Sequence, residues 1–153
     1  MIITAIDPGT TESAIVVWDA YTGKVLEPLI HCNEEILACI TRRKFDGIFV
    51  CEMVACYGMA VGKEVFQTVL WIGRFMQAAI VNGNQFNLVY RQEVKIHHCH
   101  SARAKDANIS QALKDRFGQV GTKKNPGPLY GIKSHLWSAL AIATYWEDKQ
   151  AIA

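Results

Sequence analysis

The amino-acid sequence predicts an α/β fold, a five-stranded mixed sheet flanked by helices, with residues 1–153 forming a single domain. Three observations predict it. The opening run MIITAID ends in a carboxylate beside a Pro-Gly turn and is followed by the alternating run SAIVVW, which is the pattern of two paired strands. Two later short apolar runs, FDGIFVC and FNLVY, are separated by a long segment with helical spacing. Half of the residues are hydrophobic and a fifth are charged, which supports a sizeable core and excludes a disordered chain.

Taken in order, Met1–Ile6 reads as a buried strand and Ser13–Trp18 as a second. Thr22-Gly23 turns the chain into a third strand, Lys24–His31, which gives a meander. Asn33 is placed to cap a helix over Glu34–Arg43, with acids in the first turn and bases in the last, as the helix dipole favours. Phe45–Cys51 reads as a fourth strand, with Glu52 at its end as Asp7 is at the end of the first. Lys63–Val81 has helical spacing, with Phe66, Leu70, Gly73 and Ala78 as inward candidates and Asn82-Gly83-Asn84 as the stop. Phe86–Tyr90 is a fifth strand. A helix over Asp106–Phe117 ends at Gly118, the polar loop GTKKNPGPLYG follows, and a last helix covers Lys133–Glu147.

The net charge of +2 is too mild to announce a nucleic-acid partner through the whole molecule, so local basic clusters must carry that reading. Five cysteines (Cys32, Cys39, Cys51, Cys56 and Cys99) are scattered through core-like segments, with no leader-like run before the first strand. They are expected as reduced thiols in a soluble, cytoplasmic protein. Charge or glycine breaks every apolar stretch well short of the roughly 18 residues a membrane span needs.

The predicted order βββαβαβαα is that of the ribonuclease H-like fold. Within it the chain resembles the RuvC family of Holliday junction resolvases, particularly its phage-encoded members. The resemblance rests on AIDPGTT at the first strand, IFVCEM at the fourth, VK followed by AKDANISQAL in the middle, and HLWSALAIA on the last helix. It implies a metal-dependent endonuclease that cuts four-way junctions or other branched DNA in recombination, repair or replication, within bacterial or phage-infected cells. Asp7, Glu52 and His135 would be the catalytic residues and the ligands of Mg2+ or Mn2+, two ions per site, with no nucleotide cofactor. The chemistry agrees, because in-line phosphodiester cleavage needs ligands converging from rigid elements, and adjacent strand ends provide that rigidity. Taken singly, Asp7 is also an ordinary turn-forming aspartate, Glu52 a strand-end carboxylate and His135 a half-buried histidine.

One position departs from the family. Ser138 and the following Ala139-Leu140-Ala141 stand where bacterial members carry an acid and then Ala-Leu-Ala. Serine brings no charge and would reach an ion only through a water. A competing function follows, a catalytically weak or inactive module of the same fold that binds branched DNA.

For DNA binding, the resemblance assigns Lys95 and Lys105 to phosphates near the cut, with Arg103 beside them. The stretch IHHCHSARA between them stands where relatives carry a glycine-rich loop, and reads here as a histidine-bearing loop beside phosphate or as plain surface. Its His97, His98, Cys99 and His100 cannot all converge on one tetrahedral zinc, being consecutive. Lys123 and Lys124, with Lys133 beyond, form the clearest basic cluster; Arg42, Arg43 and Lys44 form another, explained by a helix C-terminus. In MVACYGMAVG, Tyr57 and Met59 are candidates for a wedge between unstacked bases, against a core-packing alternative. Symmetric cutting of a junction calls for a homodimer, and Phe66, Trp71 and Phe75 supply apolar surface on more than one face of their helix. Asp-x-Gly-Thr-Thr also resembles the first phosphate loop of actin-like ATPases, but those proteins need two such domains and a second phosphate loop, which 153 residues do not supply.

Overall fold

The computed structural model describes all 153 residues. Its strands are β1 (Ile2–Asp7), β2 (Glu12–Asp19), β3 (Lys24–Cys32), β4 (Ile48–Met53) and β5 (Phe86–Tyr90). Its helices are α1 (Asn33–Thr41), α2 (Lys63–Val81), α3 (Arg91–Cys99), α4 (Asp106–Phe117) and α5 (Leu136–Ile152). The sheet order is β3-β2-β1-β4-β5. The first three strands form the antiparallel meander, while β4 pairs parallel to β1 and β5 parallel to β4. This is the mixed five-stranded sheet that the sequence predicts.

Helices cover both faces, so the central strands are apolar on both sides and read as continuous runs. Ile3, Ala5, Ala14, Val16, Trp18 and Val50 face one core layer, under α5 with α3 and α4 at its side. Ile6, Ile15, Phe49 and Cys51 face the other, against Ile36 and Ile40 of α1 and Ile72, Phe75 and Ala79 of α2. Residues Ala139–Tyr145 of α5 are all buried, as expected of a helix apolar all round. Its polar end is tied down as well: Glu147 accepts the Trp18 indole N–H at 2.7 Å. No helix is long and apolar enough to cross a membrane, and all five cysteines stand as free thiols.

Several expectations are corrected. The segment after β5 is the helix α3, not a loop. Its buried side carries Val94 with His97 and His98, and a histidine face is invisible to apolar periodicity. The inward face of α2 is Thr68, Ile72, Phe75 and Ala79; Phe66 and Leu70 are exposed, and Gly73 with them. Asn33 is not a cap but the first residue of α1, fully buried, with Cys32 at the cap position. No base lies in the last turn of α1: Arg42 and Arg43 fall beyond Thr41, Arg43 in the left-handed region, and Lys44 pairs with Glu27 at 2.9 Å. The fourth strand begins only after Gly47, whose φ of +88° makes the turn, and runs on to Met53, so Glu52 is its penultimate residue. The last helix starts at Leu136, because Ser134 is also left-handed, and runs on to Ile152.

Candidate functional site

The sheet itself brings two carboxylates together. Parallel pairing of β1 and β4 runs to Ile6↔Cys51, and Asp7 and Glu52 are the next residues on each strand. Side chains alternate along a strand, so both share the α5 side of the sheet with Ala5 and Val50. Each carboxylate is therefore held by core packing at a strand end rather than by a loop.

The turn after Asp7 is braced from α1. Asn33 Oδ1 accepts from the Ser13 hydroxyl at 2.6 Å, Asn33 Nδ2 donates to the Gly9 carbonyl at 2.9 Å, and the Gly9 N–H donates to Ser13 Oγ at 3.1 Å. A side chain at Gly9 would start 2.3 Å from the Glu12 carbonyl oxygen, so only glycine permits this turn.

Asp7 is 8% exposed and has one side-chain partner, His135, whose Nδ1 lies 3.0 Å from Asp7 Oδ2. A carboxylate can only accept, so Nδ1 carries the proton and Nε2 keeps its lone pair in the neutral ring. Burial raises the Asp7 pKa, with His135 pulling against it. Glu52 is pushed up to about 7, first by burial and then by the Asp7 charge, against the opposing pull of Arg91 and Lys95. Crowded, poorly hydrated carboxylates of this kind mark a site that gains by taking up positive charge.

Arg91, the first residue of α3, and Asp106, the first of α4, complete the cluster. The Arg91 guanidinium lies 3.6 Å from Glu52 Oε1 and bonds Asp106 Oδ1 through its other nitrogen. The sequence offers Asp106 only as the first alternative ligand should His135 not serve, and gives Arg91 no role. The available signal was topological: in open α/β sheets sites form beyond the carboxyl ends of the strands, and Arg91 directly follows β5.

Ser138 is half-buried in the first turn of α5, on the wall of a cavity of about 340 Å3 that it shares with His135 and Asp106. As they stand, no three His, Cys, Asp or Glu side chains converge closely enough to hold one ion. The donor set nevertheless suits a hard divalent cation: two carboxylates side by side, an imidazole on one of them and a third carboxylate one arginine away.

A groove of about 760 Å3 adjoins the acids, with Tyr57, Met59, Lys95, Arg103 and Arg91 on its walls. Three of the predicted DNA-binding residues, Tyr57, Lys95 and Arg103, thus share one surface. Tyr57 and Gly58 both have positive φ in a tight turn closed by Met59 N–H to Cys56 O at 2.9 Å. Tyr57 and Met59 are 62% and 71% exposed, which overturns core packing for them. Lys105 is exposed just before α4, and Lys123, Lys124 and Lys133 are exposed on the loop leading to α5; none of the four lines the groove. His97 and His98 turn away from it. The first lies 2.7 Å from Asp148 Oδ2 and the second 2.9 Å from the Ala141 carbonyl, so they fasten α3 to α5 instead of offering a phosphate contact.

Sheet order, helices on both faces and acids at two central strand ends define a ribonuclease H-like fold, with a basic groove beside the acidic cluster. Within that class the chain is similar to RuvC of Thermus thermophilus, with a TM-score of 0.73 at 19% identity over 98% of this chain and 97% of that one. It is also similar to T. thermophilus RuvC in complex with Holliday junction substrate, with a TM-score of 0.72 at 19% identity over 95% and 92%. At this identity the likeness is one of fold. No protein-family model and no curated protein sequence matches the chain.

Proposed function

We propose that the chain is a RuvC-like nuclease domain that cleaves Holliday junctions or other branched DNA by divalent-metal-dependent phosphodiester hydrolysis in the cytoplasm. One observation carries this reading: on a RuvC fold, the buried Asp7 and the largely buried Glu52 stand side by side next to a groove lined by Tyr57, Lys95 and Arg103. Asp7, Glu52 and His135 would hold Mg2+ or Mn2+. When bound, the ions supply a polarised water and neutralise charge on the leaving oxygen.

The chain's own residues do the rest. Lys95 and Arg103 pair with backbone phosphates and set the register of the strand. Tyr57, exposed on its turn, stacks on or wedges between bases where strands exchange. His135 steadies the Asp7 carboxylate through Nδ1. Lys105, Lys123, Lys124 and Lys133 extend phosphate contact beyond the groove. Two such sites come from a homodimer, for which Phe66 and Leu70 on the outer face of α2 offer exposed apolar surface. Trp71 lies beside them half-buried, whereas Phe75 is fully buried and serves the core.

Ser138 favours a second reading, a binder of branched DNA that cuts weakly or not at all. A synthetic four-way junction incubated with Mg2+ or Mn2+ separates the two. The nuclease reading expects paired nicks with ligatable ends, lost in Asp7→Asn while junction binding is kept. Binding without nicks supports the second reading, and undiminished nicking by Asp7→Asn overturns the site assignment.

A further inference from the structure

Arg91 belongs to two sites at once. Its guanidinium is the ion-pair partner of both Glu52 and Asp106, and its side chain also lines the groove that holds Tyr57, Lys95 and Arg103. It is anchored at one end only, at the first residue of α3, and the side chain is 38% exposed.

We infer that Arg91 is a positioning residue that couples ion loading to DNA engagement: in the ion-free protein it neutralises Glu52 and Asp106, and when an ion takes Glu52 it passes to a phosphate oxygen in the groove. The inference rests on the nuclease reading proposed above. Guanidinium and divalent cation compete for the same carboxylate lone pairs. An ion holding Glu52 at about 2.0–2.6 Å sets two positive charges beside a guanidinium now 3.6 Å from Glu52 Oε1. Arginine cannot shed its charge to escape the repulsion, so it must move. Phosphate is the anion that its planar fork pairs with best, through two parallel N–H···O bonds. The arrangement also accounts for the lack of three converged donors in this structure, because Glu52 and Asp106 are drawn to Arg91 rather than to a common point. The coupling is reciprocal: DNA in the groove would draw Arg91 off the acids and favour the ion.

The test uses the purified full chain and two readouts besides cleavage: Mn2+ affinity without DNA, from the spectroscopic signal of free Mn2+, and junction affinity across a salt series in EDTA and in Ca2+. Arg91→Ala should bind Mn2+ about tenfold more tightly than the unaltered protein, a competing cation 3.6 Å from the Glu52 carboxylate having gone. In Ca2+ its plot of log affinity against log salt should be shallower by about one unit, the share of one phosphate contact, whereas in EDTA, where the acids still hold Arg91 part of the time, the difference should be smaller. Arg91→Lys, which keeps the charge, should leave Mn2+ affinity within about threefold of the unaltered protein. If Arg91→Ala does not fold, Arg91→Gln carries the same expectations. Unchanged or weaker Mn2+ binding by the neutral variant, or an equal slope difference in EDTA and Ca2+, overturns the coupling. An unaltered protein that binds neither Mn2+ nor junction overturns the nuclease reading itself, so the two failures are distinguishable.

Discussion

Asn33 accepts a 2.6 Å hydrogen bond from Ser13 across the mouth of the turn that follows Asp7, and both side chains are buried. The same amide donates to Gly9, so one residue of α1 sets the path of the chain leaving the first strand. Asn33→Ala leaves the buried Ser13 hydroxyl without an acceptor and the Gly9 carbonyl without its donor. It should lower stability by about 2–3 kcal/mol in urea unfolding and should slow junction nicking even where the variant is fully folded. A variant with unchanged stability and rate would make the brace irrelevant to Asp7.

Glu52 sets a pH dependence of the ion-free protein. Its pKa is raised in the fold from 4.5 to about 7, so the folded state keeps a proton that the unfolded chain has already released. Stability therefore falls as pH rises from about 4.5 to about 7, by up to about 3 kcal/mol for a shift of this size. Asp7, also raised, acts in the same direction. Melting temperature in EDTA should drop between pH 5 and pH 8, and Glu52→Gln should flatten that drop. A melting temperature that climbs over the window would mean that Glu52 is not held in a poorly hydrated, crowded state.

Lys95 and Arg103 face one groove, whereas Lys123 and Lys124 sit on the loop before α5. Replacing Lys95 and Arg103 together by alanine should reduce the salt slope of junction binding by about two units, because each phosphate contact releases about one counterion. The Lys123/Lys124 double variant should do the same if the loop also touches DNA. An unchanged slope for either pair would mark those residues as solvated surface.

Ser138 shares its cavity with His135 and Asp106, with room for a longer side chain. Ser138→Asp should lower the Mn2+ concentration needed for half-maximal nicking, by about tenfold for one added carboxylate near the ion. An unaltered metal dependence would place Ser138 outside the ion's reach.

Much of the sheet could be read from the chain because its strands are short apolar runs punctuated by glycine and polar turns. Asp7 and Glu52 stood out as charges at the ends of such runs. The outer face of α2 was harder: Phe66 and Leu70 are as apolar as Ile72 and Phe75, so the period identifies a helix but not its phase. Asn33 looked like a cap because local propensity favours one there, and a tertiary contact with Ser13 and Gly9 prevailed. Arg91 and α3 escaped because the buried side of that helix is largely histidine, and because an arginine after a strand has no pattern until the neighbouring strand ends are known.

The hydrogen bond between His135 and Asp7 joins residues 128 positions apart. It forms only once α5 has seated on β1 and β2, the contact that buries the middle of the helix. A contact of this separation is made only after a large loop-closure entropy has been met, so whatever chemistry the pair supports is silent in any form of the chain whose α5 is undocked. A nascent or locally melted molecule would hold a strand-end aspartate without its histidine, and the proposed nuclease would thereby stay idle until its last helix is seated.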